Sequence, residues 1–160
     1  MQKRVEFVDL KAQYFSIRKE IDEAVKKVLE SANYSAGPFV KSFEENFAKV
    51  HKSKYCVGVN NGTSALHCAL LALGITYGDE VIVPDMTFIA TANAVDLCGA
   101  KPVLVDVNPK NLTISIDAIK KAITPRTKAI IPVHVTGRGA DMPAIMDLAK
   151  KHGLFVVEDA

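Results

Sequence analysis

Several things are scarce in this sequence, and each scarcity removes a class of protein. It has only three cysteines, Cys56, Cys68 and Cys98, set far apart with no CxxC pair and no histidine at ligand spacing, which excludes a structural zinc site. With no metal or disulfide role, the thiols are expected to be reduced and mostly buried, in keeping with a cytoplasmic location. Charge of either sign is not in excess: 20 Lys and Arg against 18 Asp and Glu leave a formal +2. The lysines are spread along helical stretches instead of gathering in a patch, so no nucleic-acid partner is expected. Long apolar runs are lacking too. Residues 1–13 have no apolar core of a signal peptide, and no run reaches membrane-spanning length, so no membrane partner is expected. There is no internal repeat and no low-complexity segment.

What the chain does have is 160 residues with a 49% hydrophobic and 24% charged composition, enough for a soluble domain with a real core. Ile17, Ile21, Ala24, Val25 and Val28 recur at helical spacing over residues 12–31, predicting an amphipathic helix laid on something else. Gly37-Pro38 then reads as a turn whose proline opens a second helix, with Val40, Phe43, Phe47 and Val50 as its buried stripe. From residue 54 short β-rich runs alternate with helical ones. Strands are predicted at 55–59, 80–84, 102–107, 128–133 and 154–158, and helices at 64–73, 88–97 (capped by Thr87), 115–123 and 142–152 (capped by Asp141). Strands of near-continuous Val, Ile and Leu alternating with helices predict an α/β fold, a mostly parallel sheet with helices on both faces. The domain division expected is a helical segment over 1–53 and an α/β domain over 54–160.

In such a sheet ligands bind beyond the carboxyl ends of the strands. The residues placed there are Asn60 to Ser64, Asp85 to Phe88, Asp106 to Asn108, His134 to Arg138, and Asp159. At Asn60-Asn61-Gly62-Thr63-Ser64 a strand-like run breaks and a helix begins at once. A helix start of this kind has unpaired N–H groups and partial positive charge, and two hydroxyls add donors, so it suits a phosphate. The same residues also describe an ordinary capped helix in which Thr63 or Ser64 satisfies the helix's own N–H groups. Both readings stand on this stretch alone. Together the edge residues offer a phosphate cradle, an aromatic ring, a histidine and an acid.

These residues, read in order, resemble the DegT/DnrJ/EryC1/StrS family of pyridoxal-phosphate-dependent sugar aminotransferases, of the aspartate-aminotransferase fold. The resemblance rests on Phe7-Val8-Asp9-Leu10, Gly37-Pro38-Phe39-Val40, Asn60-Asn61-Gly62-Thr63-Ser64-Ala65-Leu66 and Gly78-Asp79-Glu80-Val81-Ile82-Val83-Pro84 with Met86-Thr87-Phe88. It continues through Ala100-Lys101-Pro102-Val103, Ile130-Ile131-Pro132-Val133-His134 and Val156-Val157-Glu158-Asp159-Ala160. It implies that Gly62, Thr63 and Ser64 hold the phosphate of pyridoxal 5'-phosphate. Phe88 would stack on the pyridine ring, and Asp159 would lie beneath the ring nitrogen as a catalytic residue. A carboxylate there keeps that nitrogen protonated, because a nearby opposite charge favours the charged form. Without the resemblance Phe88 reads as a core phenylalanine on the first turn of a helix; for Asp159, set directly after an apolar run, the lesser reading is a capping or ion-pairing acid. His134 reads as a site residue or as a satisfied histidine, and Arg138 as a substrate anion contact or as a solvated loop residue. Asp106 is expected only to cap the turn at Asn108-Pro109, and His67 only to pack.

The resemblance further implies an enzyme that moves an amino group from glutamate to a nucleotide-linked keto-sugar, acting as a homodimer. The family's Schiff-base lysine lies downstream of the aspartate, outside these 160 residues, so the chain is expected to be an amino-terminal fragment that is inactive alone. Two rivals stand beside this reading. One is a dehydratase of the same family, in which that lysine is replaced. The other is a non-catalytic cofactor- or sugar-binding module.

Overall fold

The protein is described by a computed structural model covering residues 5–160. It divides into two units, one running to Gly58 and the other Val59–Ala160.

The first unit is helical. Helix α1, Leu10–Ser31, starts where the Asp9 carboxylate accepts the Ala12 N–H, and helix α2, Pro38–Val50, starts with Pro38 in its first turn as expected. A Cβ on Gly37 would meet the end of the Asn33 side chain at 2.5 Å, so a larger residue there would have to displace that carboxamide. The apolar stripes differ from expectation. In α1 and α2 no residue is fully buried, and Ile21, Val25, Phe43 and Phe47 are among the exposed large hydrophobics. Their spacing set them on one face, but no element among the described residues of this unit buries that face.

Residues 55–59, expected as the first strand, form none. A strand is defined by a hydrogen-bonded neighbour, and no ladder partner falls to this segment. Its Gly58 N–H goes instead to the Glu44 carboxylate at 2.7 Å, and Tyr55 and Val57 stay exposed.

The second unit is the expected layered α/β arrangement. Helix α3, Gly62–Ala72, leads by a short turn to β1, Glu80–Pro84, followed by α4 (Ala90–Leu97), β2 (Lys101–Val105), α5 (Ile116–Ala122), β3 (Thr127–Ile130), α6 (Met142–His152) and β4 (Phe155–Val156). The strands form one parallel sheet in the order β2-β1-β3-β4. Central strand β1 is buried at all five positions. Because strand side chains alternate faces, Val81 and Val83 pack with Leu66, Leu70, Ala94 and Val95 from α3 and α4. Ile82 packs on the other side with Ile119 and Ile145 from α5 and α6. Helices therefore cover both faces. The chain steps from β1 out to β2 and then back across β1 to β3. That reversal opens a crevice at the carboxyl ends of the strands, the place where ligands enter open α/β sheets.

Local chemistry sets the ends of these helices. Ser115 and Asp141 cap α5 and α6 by accepting the N–H groups of Ala118 and Ala144, and Gly153 ends α6 at φ +65°, the left-handed region that favours glycine. Thr87 does not cap α4: the helix begins three residues later, without a side-chain cap, because residues 85–88 bend away from β1 before turning. Nor does Asp106 hold the turn at Pro109. Its carboxylate takes the N–H of its neighbour Val107, and Asn108 holds the turn through Lys110.

All three cysteines are free, but they are less buried than expected. Cys68 is exposed, because it lies between Leu66 and Leu70 and so on the far side of α3 from both, and Cys56 and Cys98 are half-buried. Burial pushes the Cys98 thiol above its ordinary range and keeps it protonated. No helix among the described residues is long and apolar enough to cross a membrane.

Candidate active site

At the start of α3 the helix cap is supplied by Asn61, not by either hydroxyl residue that follows it. Asn61, extended at φ −165°, is the N-cap, and its Oδ1 accepts the Ser64 N–H at 2.8 Å. Thr63 and Ser64 were the expected caps; neither hydroxyl is used for that purpose. The N–H groups of Gly62 and Thr63 have no acceptor among the described residues. Two backbone donors and two hydroxyls thus remain at the positive end of an 11-residue helix. A Cβ on Gly62 would meet nothing within 4 Å, so glycine here leaves open space in front of the donors.

Asn61, Gly62, Thr63 and Leu66 line one wall of a cleft of about 320 Å³. Phe88, Ala90 and Thr91 come to it from the loop after β1 and the start of α4, and Asp159 from the loop after β4. Three of the expected contacts, Gly62–Thr63, Phe88 and Asp159, are therefore brought together. Ser64 stands next to the cleft without lining it. Phe88 is 73% exposed, so its ring is presented at the cleft and is not packed in the core of the described residues.

Asp159 is held from several directions. Its N–H donates to Pro132 O at 3.0 Å and its carbonyl accepts the His134 N–H at 2.9 Å, pairing it with the continuation of β3 at Val133. Its side-chain Oδ2 accepts the Thr91 hydroxyl at 2.7 Å, and Thr91 Oγ1 lies 2.9 Å from Thr87 Oγ1. Oδ1 makes no hydrogen bond with the described residues. Thr91 is 1% exposed. The only sign of it in the sequence was a pair of threonines four apart, Thr87 and Thr91, at a helix start.

His134 and Arg138 lie elsewhere. The His134 Nδ1 accepts the Ala140 N–H at 3.2 Å, which leaves the proton on Nε2 to bond Glu158 at 3.0 Å. Both ring nitrogens are committed, as in the satisfied-histidine reading. Arg138 is exposed and makes no ion pair among the described residues. No group of three or more His, Cys, Asp or Glu suitable for a metal occurs among the described residues.

Unpaired helix-terminal donors, a presented aromatic ring and a carboxylate with one oxygen unbonded among the described residues thus meet at the carboxyl edge of a parallel sheet. The chain belongs to the DegT/DnrJ/EryC1/StrS aminotransferase family, whose model it matches over residues 15–160. It is 49% identical to the dTDP-3-amino-3,4,6-trideoxy-alpha-D-glucose transaminase of Streptomyces venezuelae, over 98% of this chain and 41% of that protein. It is 46% identical to the UDP-2-acetamido-2-deoxy-3-oxo-D-glucuronate aminotransferase of Pseudomonas aeruginosa, over 98% of this chain and 44% of that one. The chain thus spans about two fifths of the length of these relatives.

Among solved structures it superimposes on S. venezuelae DesV with a TM-score of 0.97 at 48% identity, covering 99% of this chain and 43% of that one. Bacillus subtilis ntda, solved with bound cofactor PMP, matches with a TM-score of 0.90 at 36% identity, covering 99% and 38%. A GDP-4-keto-6-deoxymannose-3-dehydratase matches with a TM-score of 0.79 at 32% identity, covering 86% and 37%. The fold is that of the large domain of pyridoxal-phosphate-dependent aminotransferases, and the family's cofactor is pyridoxal 5'-phosphate or its aminated form. The chemistry of the cleft residues fits that group: N–H and hydroxyl donors, an exposed ring and a carboxylate complement a phosphate, a ring face and a ring nitrogen.

Proposed function

We propose that the protein transfers an amino group, with glutamate as donor, to a nucleotide-linked keto-sugar, and that residues 54–160 form the front of its cofactor site. Bound pyridoxal phosphate supplies an electron sink that stabilises negative charge developing at the carbon next to the amine. This chain's residues hold and tune it. The Gly62 and Thr63 N–H groups and the Thr63 and Ser64 hydroxyls bind the phosphate. The Phe88 ring supports one face of the pyridine. The free oxygen of Asp159 keeps a proton on the ring nitrogen, because a carboxylate within a few ångströms favours the cationic form.

The single observation that carries this reading is the convergence of free helix-terminal donors, a presented ring and a half-satisfied carboxylate in one 320 Å³ cleft. The acid–base lysine implied by family resemblance lies outside these 160 residues, so the 160-residue chain by itself is proposed to be inactive. The exposed stripes of α1 and α2 are proposed to meet a second subunit of a homodimer, and the protein is proposed to act in the cytoplasm.

The test uses the full-length protein loaded with cofactor. Glutamate should shift its visible absorbance band to that of the aminated cofactor, and a nucleotide-linked keto-sugar should restore the original band. A band that glutamate leaves unchanged would sink the transaminase. The similarity to a 3-dehydratase favours one second reading, loss of a sugar hydroxyl; release of deoxygenated sugar without amino-sugar product would select it. Binding of cofactor with neither change would select the non-catalytic module.

A further inference from the structure

We infer that Thr91 is a positioning residue for Asp159, the end of a hydroxyl chain that fixes which carboxylate oxygen faces the cofactor. The inference rests on the reading of Asp159 above and deepens it.

The direction of the chain follows from proton counting. An ionised carboxylate only accepts, and a threonine hydroxyl has one proton. At 2.7 Å from Asp159 Oδ2, Thr91 must spend that proton on the carboxylate. Its contact with Thr87 at 2.9 Å can then only be one in which Thr87 donates. The order is Thr87 O–H to Thr91 O–H to Asp159 Oδ2. Each bond polarises the next, and at a residue 1% exposed no water competes for the middle of the chain.

This arrangement links α4, which follows β1, to the loop after β4, across 68 residues of sequence. The backbone of Asp159 is already pinned on both sides by Pro132 and His134, so the Thr91 bond is not needed to hold the loop. What it fixes is rotation of the carboxylate. With Oδ2 engaged from within the fold, Oδ1 is the oxygen left for the cleft.

A merely structural bond and a positioning bond differ in what they move. The test uses the full-length holoenzyme carrying cofactor labelled with ¹⁵N in its ring, comparing wild type, Thr91→Val, Thr91→Ser, Thr87→Val and Asp159→Asn. Thr91→Val keeps the shape and removes the hydroxyl. It should move the ring ¹⁵N signal toward that of the unprotonated ring and weaken cofactor binding to the apo-protein about tenfold. It should also lower kcat while leaving the KM for the amino donor in place. Thr91→Ser restores the donor and should return the ¹⁵N signal to its wild-type position. Thr87→Val should shift the signal the same way by less, and it reads the chain even where Thr91→Val does not fold.

A wild-type ¹⁵N signal in Thr87→Val and in any folded Thr91→Val, with Asp159→Asn shifted, overturns the inference and leaves the reading of Asp159 standing. A wild-type signal in Asp159→Asn overturns that reading itself, and this inference with it.

Discussion

Two carboxylates stand at opposite ends of the same parallel sheet, and their surroundings are built to different ends. Glu80 begins β1 at the amino edge. Its side chain is 4% exposed, accepts the Thr124 hydroxyl at 2.5 Å, and takes both Nε and a terminal nitrogen of Arg126 at 3.1 and 2.6 Å. The Thr124 hydrogen bond first, and then the Arg126 bonds, hold its carboxyl below the ordinary glutamate value. Asp159 follows β4 at the carboxyl edge, with one oxygen bound by Thr91 and the other without a hydrogen-bond partner among the described residues. A buried charge with both oxygens bonded, one of them to an arginine, belongs to the structure. A charge left half-satisfied beside a cleft costs stability and is kept where it meets a ligand. That contrast is the physical ground on which Glu80 is proposed as a structural acid and Asp159 as a working one.

The sharpest way to break that comparison is to remove each charge and ask what is lost. Asp159→Asn in the full-length protein should reduce the chemical step about 10²- to 10³-fold while its thermal unfolding midpoint stays close to wild type. Glu80→Ala should do the reverse. Deleting a buried acceptor that satisfies Thr124 and Arg126 should cost about 2 kcal/mol of stability, read as a lowered denaturation midpoint, with kcat per folded molecule unchanged. If both variants lost activity in proportion to stability, the two ends would not differ in kind.

Acid titration sharpens the same contrast. Because Glu80 is depressed in the folded state, the folded protein holds fewer protons there than the unfolded chain as pH drops below the ordinary value of 4.5. The stability it contributes is complete above that value and is lost as pH falls through the depressed one. Glu80→Gln should flatten the acid limb of stability against pH, measured as unfolding midpoints across the acidic range. An unchanged limb would show that the network at the amino edge is not what the acid breaks.

How much of this could be read in advance follows from what each signal encodes. Period-two and period-3.6 patterns report burial against neighbours within one domain. They placed β1 at Glu80–Pro84 and α6 at Met142–His152 correctly and set the layered α/β class. The pattern failed where a neighbour was needed to complete it. Residues 55–59 look like a strand but have no ladder partner, and the stripes of α1 and α2 look buried but are exposed.

Edge position was enough to bring Gly62, Thr63, Phe88 and Asp159 to one cleft, since helix starts and strand ends are legible, whereas the roles expected of Phe88 and Asp159 came from the family resemblance. Thr91 was not legible. A threonine inside a helix looks the same whether its hydroxyl faces a backbone carbonyl or a carboxylate 68 residues away, and only the fold distinguishes the two. Asn61 was passed over for a related reason: Thr, Ser and Asn all cap helices, and which one does so depends on where the chain turns extended.

Asn61 also provides the finest test of the contrast between residues that hold the fold and residues that hold the ligand, because it stands between the two roles. Its Oδ1 caps α3 while the residue itself lines the cleft beside the free Gly62 and Thr63 donors. Asn and Asp are about equal as caps, and a negative charge at a helix start interacts favourably with the helix dipole. Asn61→Asp should therefore leave thermal stability of the apo-protein unchanged or slightly raised. The same new charge would face the cofactor phosphate at close range, where two like charges repel by at least about 1 kcal/mol, so cofactor affinity should fall about fivefold or more. High salt should recover part of the loss. Titration of cofactor into apo-protein at two ionic strengths measures both effects. Wild-type affinity in this variant would mean that the phosphate does not sit at this turn, and that the unpaired donors there are only the frayed start of a helix.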